Sequence, residues 1–161
     1  MYDNPESVNR VQEHLFSLNL DNSIIKLDET AASAKDAANS LKTSVGSIVK
    51  SIIFLDDRKQ CYLFLISGIN KFNNKGFHEA NNITLNKPDA SVVKEITGFS
   101  IGGVSPYGHL STPYKVYIDP DLKKYPSIYA SAGHPFYIFK TTFDELTLNA
   151  NAEVAEYFEI I

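Results

Sequence analysis

Apolar residues recur at Val8, Val11, Leu15 and Leu18, at spacings of 3, 4 and 3. That is one face of a helix over about residues 5–20. Asn4 ahead of Pro5 reads as its N-cap, with proline at the first helical position. Residues 23–27 form a short strand candidate. Thr30 then caps an alanine-rich helix over 31–41. Residues 45–55 are β-branched and largely apolar, and the polar turn 56–59 joins them to the apolar run 60–67, which predicts a β-hairpin. Residues 70–81 have helical character and 83–85 read as a short strand. Pro88 opens a helix to Thr97, and Gly98 ends it.

Beyond it, 114–118 alternates as a strand, and Asp119-Pro120-Asp121 turns the chain into a short helical piece ending at Lys124. Residues 127–131 and 135–140 read as two strands around Ala132-Gly133-His134. Thr142 caps a helix over 143–148, with Glu145 completing a capping box, and 152–158 adds a last helical turn or two. No repeat, low-complexity segment or long linker interrupts this order. The expected fold class is mixed α/β, α+β-like: one domain over residues 1–161, with a largely antiparallel, curved sheet surrounded by short helices.

Composition narrows the picture. The 161 residues, 43% hydrophobic and 21% charged, suit one globular domain with a sizeable core. The one cysteine, Cys61, lies in an apolar run and reads as a buried, inert thiol; a reducing cytoplasm is the expected compartment. No 18-residue apolar run marks a membrane span, and the first six residues carry no basic signal-like region. The net charge of −4 argues against broad nucleic-acid binding. It is unevenly spread: residues 35–75 carry seven bases against Asp36, Asp56 and Asp57, and 141–161 carry five acids and no base. A local basic face can touch a few phosphates but cannot wrap a long duplex.

The chemistry concentrates at residues 98–109, where four of the eight glycines and Pro106 fall within 12 positions. Such density excludes helix or strand interior and lets a ligand approach the backbone closely. The spacing Gly102-Gly103…Gly108 is wrong for a dinucleotide loop, and no Gly-Lys-Ser/Thr follows for a P-loop. The four histidines are dispersed, so no metal site or cofactor is expected. Ser105 precedes Pro106, which lacks an N–H to stabilise an oxyanion, and this argues against a serine nucleophile. What remains is a site without an enzymic nucleophile: loop N–H groups, one lysine and one histidine. That set suits hydrolysis of an activated ester by water. Lys50 stands inside an apolar strand, either reaching an anion or snorkelling outward. His134 follows Gly133 between two strands, facing a pocket or serving only in a turn.

Three stretches together resemble the YbaK/ProX family of aminoacyl-tRNA deacylases, which also occurs as the editing insertion of bacterial prolyl-tRNA synthetases. They are Ile48-Val-Lys50-Ser-Ile-Ile-Phe54, Thr97-Gly-Phe-Ser-Ile-Gly102-Gly-Val-Ser-Pro106-Tyr-Gly108, and Ser131-Ala-Gly133-His134. The resemblance runs over about residues 24–148. It implies hydrolysis of mischarged aminoacyl-tRNA, most often tRNA(Pro). In these terms the backbone of Gly102, Gly103, Val104, Ser105 and Pro106 would face the scissile ester and the terminal adenosine. Lys50 would bind the terminal nucleotide or polarise the ester carbonyl. His134, beside Gly133, would orient substrate or water. The substrate's own ribose hydroxyl would assist, which fits the missing nucleophile.

Histidine at position 134 resembles the synthetase insertion and the alanine- or serine/threonine-editing branches, and points away from the cysteine-specific one. Ser51 stands where the alanine-specific branch favours asparagine, so the amino acid stays open between Ala, Ser and Thr. The implied partners are the 3′ end and acceptor stem of aminoacyl-tRNA, acted on in trans, and a prolyl-tRNA synthetase. Two alternatives stand beside this reading: a non-catalytic module that binds the tRNA 3′ end or a nucleotide, and a small-molecule esterase.

Overall fold

The computed structural model describes residues 4–20 and 22–161; the reading of the N-terminal residues 1–3 lies outside them. In chain order the elements are α1 (Glu6–Ser17), β1 (Ile24–Lys26), α2 (Ala34–Leu41), β2 (Ile48–Leu55), β3 (Cys61–Ser67), β4 (Asn70–Phe72), α3 (Asn74–Asn81), α4 (Ala90–Thr97), β5 (Lys115–Ile118), β6 (Ile128–His134), β7 (Tyr137–Thr141), α5 (Phe143–Asn149), β8 (Glu153–Val154) and β9 (Phe158–Ile160). Short 3-10 turns over Val45–Ser47 and Pro120–Lys124 precede β2 and follow β5.

A seven-stranded sheet in the order β1-β7-β6-β2-β3-β5-β8 carries the fold, and β4 pairs with β9 in a separate two-stranded ribbon. Within the large sheet β1–β7, β7–β6 and β2–β3 are antiparallel, while β6–β2, β3–β5 and β5–β8 are parallel. The longest register is the antiparallel hairpin, from Val49↔Ser67 to Leu55↔Cys61. The sheet is therefore mixed, as its class was read.

Side-chain alternation decides what each face meets. From β2, Val49, Ile53 and Leu55 enter the main core with Val8, Val11 and Leu15 of α1, which are fully buried. Burying each such side chain contributes roughly 1.5–3 kcal/mol. The opposite face holds Ile52 and Phe54 in an aromatic cluster with Tyr62, Phe64, Phe77 and Tyr117. α2 lays Ala37 and Ala38 over Ile48 on that same face, toward β6. Lys50 belongs to this second face, between the α2 patch and the aromatic cluster.

Several local readings shift. Pro5, with φ −52° and ψ 146°, takes the N-cap position that the sequence suggested for Asn4. Ser33, not Thr30, caps α2 by accepting from the Asp36 N–H; the Thr30 hydroxyl accepts from Ala32 N–H in the preceding turn. Helix α4 starts after Asp89, leaving Pro88 outside. The segment expected as one helix over 70–81 divides: Asn70–Phe72 pairs with β9, and Asn73 caps α3 by accepting from Gly76 N–H. Residues 83–85 form no strand, and a bridge between Leu55 and Asn86 stands nearby instead. The helical turn expected over 152–158 is replaced by β8 and β9, whose partners β5 and β4 are remote in sequence. Thr142 caps α5 as expected, but the Glu145 carboxylate accepts from Thr141 and Asn22 rather than from the cap N–H.

Candidate active site

Strands β2 and β6 pair only at Ile48↔Tyr129 and Val49↔Ala130 and then diverge. Beyond that point β2 stays with β3, and β6 stays with β7. The split opens a cleft of about 280 Å³ lined by Lys50, Ser51 and Ile52 of β2, Ser131 of β6, Gly102 and Val104 of the glycine loop, and the 31–34 segment. Along β2, Leu55 exchanges both backbone bonds with Asn86, whereas Asp56 N–H turns toward Gln60. Alternation then directs the N–H and C=O of Ser51 away from β3, into the split. On the facing wall, the N–H groups of Gly102 and Val104 find no acceptor among the described residues. Gly102 and Val104 of the cleft wall thus carry N–H groups that a polar ligand can complete.

Lys50 is half-buried and its Nζ donates to the carbonyl of Asn70. Burial lowers its pKa, and the Asp119 carboxylate opposes that change. An ammonium has three donors, so two remain for a ligand. The N-terminal end of α2 adjoins the same cleft through Ser33 and Ala34, adding the positive end of a short helix dipole.

The glycine loop is rigid from below. Arg10 of α1 donates from Nε to the Gly108 carbonyl (3.1 Å) and from Nη2 to that of Thr97 (3.4 Å), tying the two ends of the loop together. Its guanidinium also lies 4.8 Å from the centre of the Phe99 ring. His109 Nε2 donates to the Ser105 carbonyl (2.6 Å), and burial pushes that imidazole down to about 4. Gly102 has φ +88°, a conformation that favours glycine. Gly103 is needed for close approach instead: a Cβ there would stand 2.9 Å from His134 Cα and 3.1 Å from Pro135 Cδ.

The residues singled out from sequence separate into two groups. Lys50, Gly102 and Val104 meet at the cleft. Ser105 is fully buried, its hydroxyl accepting from Tyr107 N–H, so it serves the loop's own turn. Pro106 is buried and lines a larger depression of about 630 Å³ bounded by His14, Tyr114 and the 149–153 turn, away from Lys50. Gly133 does not form the tip of a turn: β6 continues through it to His134 with a bulge after Ser131, and the chain reverses at Pro135-Phe136. His134 Nδ1 accepts from Phe136 N–H at 3.1 Å, and its ring lies against those of Phe136 and Tyr137. Its backbone touches the glycine loop, while its ring is not part of the cleft wall. Cys61 is buried and its thiol is pushed up to about 11, so it is inert as expected. Arg10, Asn70, Asp119 and His109 were not singled out from sequence as site residues; Asp119 was read only as part of a turn.

A family model described as an aminoacyl-tRNA editing domain matches residues 28–148. The chain belongs to the aminoacyl-tRNA editing domain family. Its substrate class is accordingly aminoacyl-tRNA, and the resemblance read from the lysine strand and glycine loop holds. This editing domain is 28% identical over 127 residues to the uncharacterized protein YwhH of Bacillus subtilis (strain 168), covering 79% of this chain and 80% of that one. It superposes with a TM-score of 0.90 and 34% identity on a protein proposed to be a trans-editing enzyme for prolyl-tRNA synthetase, covering 98% and 99% of the two chains. The hypothetical protein APE2540 shares the fold at a TM-score of 0.85 and 25% identity, covering 93% of the editing domain and 99% of its own chain. No helix among the described residues is long and apolar enough to cross a membrane.

Proposed function

We propose that this editing domain is a trans-acting deacylase. It hydrolyses the ester of a mischarged aminoacyl-tRNA, with tRNA(Pro) carrying alanine, serine or threonine as the expected substrate and cysteine disfavoured. The observation that carries the reading is the split between β2 and β6, whose walls hold a half-buried lysine and two loop residues, Gly102 and Val104, whose N–H groups have no acceptor among the described residues. Water adds to the ester carbonyl carbon, and the developing oxyanion is met by the N–H groups of Gly102 and Val104 and by the Lys50 ammonium. Collapse breaks the bond to the ribose oxygen, which takes a proton and leaves as the free terminal hydroxyl. Preorganised donors of this kind contribute roughly 3–4 kcal/mol each to such a transition state. The ribose's neighbouring hydroxyl assists the water, so no enzymic nucleophile is required. His134 orients the substrate from the rim. A cleft of about 280 Å³ suits a small aminoacyl group. The small share of basic residues fits contact with a single-stranded 3′ end and part of an acceptor stem, and a prolyl-tRNA synthetase would supply the rest of the grip.

The test is release of labelled Ala, Ser, Thr and Cys from mischarged tRNA(Pro), with the simple amino-acid esters as controls. Faster release from charged tRNA than from the esters supports the reading. Release no faster than in buffer for all four would leave a module that binds the tRNA end without chemistry.

A further inference from the structure

Behind Lys50 lies a buried polar chain that the deacylation scheme does not use. Strand β3 turns at Gly68-Ile69 into β4, which brings Asn70 back over the face that Lys50 occupies. Asn70 is 1% exposed. Its carbonyl accepts from Lys50 Nζ, and its Nδ2 donates to Asp119 Oδ2 (2.8 Å) and Asp121 Oδ2 (2.7 Å). Asp119, also 1% exposed, accepts two further bonds, from Ser67 N–H at Oδ2 (3.1 Å) and from Asp121 N–H at Oδ1 (2.9 Å). Asn70 Oδ1 is buried and has no donor among the described residues, so this residue keeps acceptor capacity beyond the carbonyl that already holds the ammonium.

A buried carboxylate is costly to retain without a cation. Asp119 forms no ion pair among the described residues, yet its field acts on Lys50, across Asn70. The other charged groups nearby are otherwise engaged or turned outward. Asp121 is paired with the exposed Lys124 at 2.9 Å, Lys71 of β4 with Glu159 of β9 at 3.7 Å, and Lys35 and Asp36 of α2 are exposed. β3 presents no charged side chain, and β6 brings only Tyr129 and Ser131 as polar side chains to the cleft.

We propose that Asn70 and Asp119 are positioning residues for Lys50: the carboxylate fixes the asparagine, whose carbonyl fixes the ammonium and keeps it cationic inside the cleft. Without this backing, desolvation would favour the neutral amine, and a free four-carbon chain would spread over many rotamers. The inference rests on the deacylase reading for its catalytic meaning, but not for its physical content.

The experiment therefore has one readout without activity and one with it. Protein labelled with 13C at the lysine Cε is titrated by NMR, with the Lys50 signal assigned by its loss in Lys50→Arg. In Asp119→Asn the Lys50 midpoint is expected to fall by about one pH unit. Glu153→Gln, which removes only an exposed partner of Lys115, should leave it in place. With mischarged tRNA, the alkaline limb of kcat should move to lower pH by the same amount, with KM little changed. Should Asp119→Asn fail to fold, Asn70→Ser is used, whose short side chain uncouples the carbonyl from the carboxylates; the midpoint should again fall, and kcat should drop about tenfold. A folded Asp119→Asn or Asn70→Ser protein whose Lys50 midpoint and pH profile match the wild type would overturn the proposal. A lowered midpoint in a protein that deacylates nothing even as wild type would keep the Lys50 support and remove the deacylase reading.

Discussion

Lys50 and His134 are held by different kinds of support. Lys50 stands in the middle of β2, bonded across to Ile66 of β3, and its ammonium is held by the carbonyl of a buried asparagine. His134 ends β6 after a bulge, and its ring is engaged by its own turn through Phe136 N–H and the Phe136 and Tyr137 rings. The difference is between a group fixed by elements far apart in sequence and one fixed by its immediate neighbours. Local support of the second kind is easily exchanged for a ligand contact. On the proposed deacylase reading, chemistry that depends on a fixed charge would fall to Lys50, and adjustment to the substrate would fall to His134.

The strongest way to break that assignment is to remove the lysine. Lys50→Ala deletes the only charged side chain on the cleft wall among the described residues. The expected loss is about 10²–10³-fold in the deacylation rate, on the scale of a missing oxyanion donor. The fold should survive, because Lys50 is half-buried on a strand whose apolar neighbours stay in place. Circular dichroism and single-turnover deacylation check both parts. A variant that is folded and still deacylates at the wild-type rate would move the chemistry away from Lys50.

The next effect concerns the floor on which both regions rest. His109 donates to Ser105 as a neutral ring, with its pKa lowered to about 4 mainly by burial. The unfolded chain would protonate near 6.5, so the unfolded state binds more protons between these values. Stability from this group is fully present above pH 6.5 and is lost as pH falls toward 4, by about 3 kcal/mol. His14, lowered by burial, acts in the same direction. Denaturant midpoints between pH 7.5 and 4.5 measure the slope, and His109→Gln, which keeps a donor near the Nε2 position, should flatten it. An equal slope in wild type and variant would remove His109 as the acid-sensitive element of the loop.

Gly103 joins the loop to the histidine turn. Its missing Cβ would lie 2.9 Å from His134 Cα, against backbone that cannot swing aside. Gly103→Ala should cost about 1–3 kcal/mol of stability and lower activity by displacing the turn. Gly102→Ala meets Ala32 only at 3.5 Å, so its cost comes from φ +88° and should be smaller, about 1–2 kcal/mol. Equilibrium unfolding of the two variants ranks them; the reverse order would mean that the loop and the turn are not in the contact described.

What could be read from the chain follows from how local each signal is. The glycine loop and Lys50 stood out because each violates the pattern around it: punctuation between periodic segments, and a charge within a β-branched run. The hairpin and α1 were legible from their own periodicity, and α5 from its Thr142 cap. β4, β8 and β9 were not, because segments such as Asn70–Phe72 and Glu153–Val154 are too short to show alternation and become strands only through Ile160 and Ile118, distant partners that no local window contains. Asp119 was hidden for the same reason. Its Asp-Pro-Asp context marks a turn, which it does cap, while its bonds to Ser67 and Asn70 reach from the end of β5 to the end of β3 and the start of β4, 52 and 49 positions away in the chain. Ala132-Gly133-His134 looked like a turn because glycine there suits φ +95°, yet the bulge uses that conformation inside a strand.

The smallest expected effect sharpens the comparison most. If His134 were the base that activates water, its removal would cost about 10²–10⁴-fold. As an orienting group that leaves its turn to meet substrate, it should cost less. His134→Ala is expected to lower kcat/KM by a few-fold, under about tenfold, with most of the change in KM and no change in the shape of the pH profile. The turn itself should persist, since Ala31 N–H still bonds the Pro135 carbonyl and Leu27 N–H that of Phe136. A loss of two orders of magnitude in kcat would make His134 the base and Lys50 its electrostatic partner. The asymmetry between the fixed lysine and the adjustable histidine would then be a property of the free protein alone.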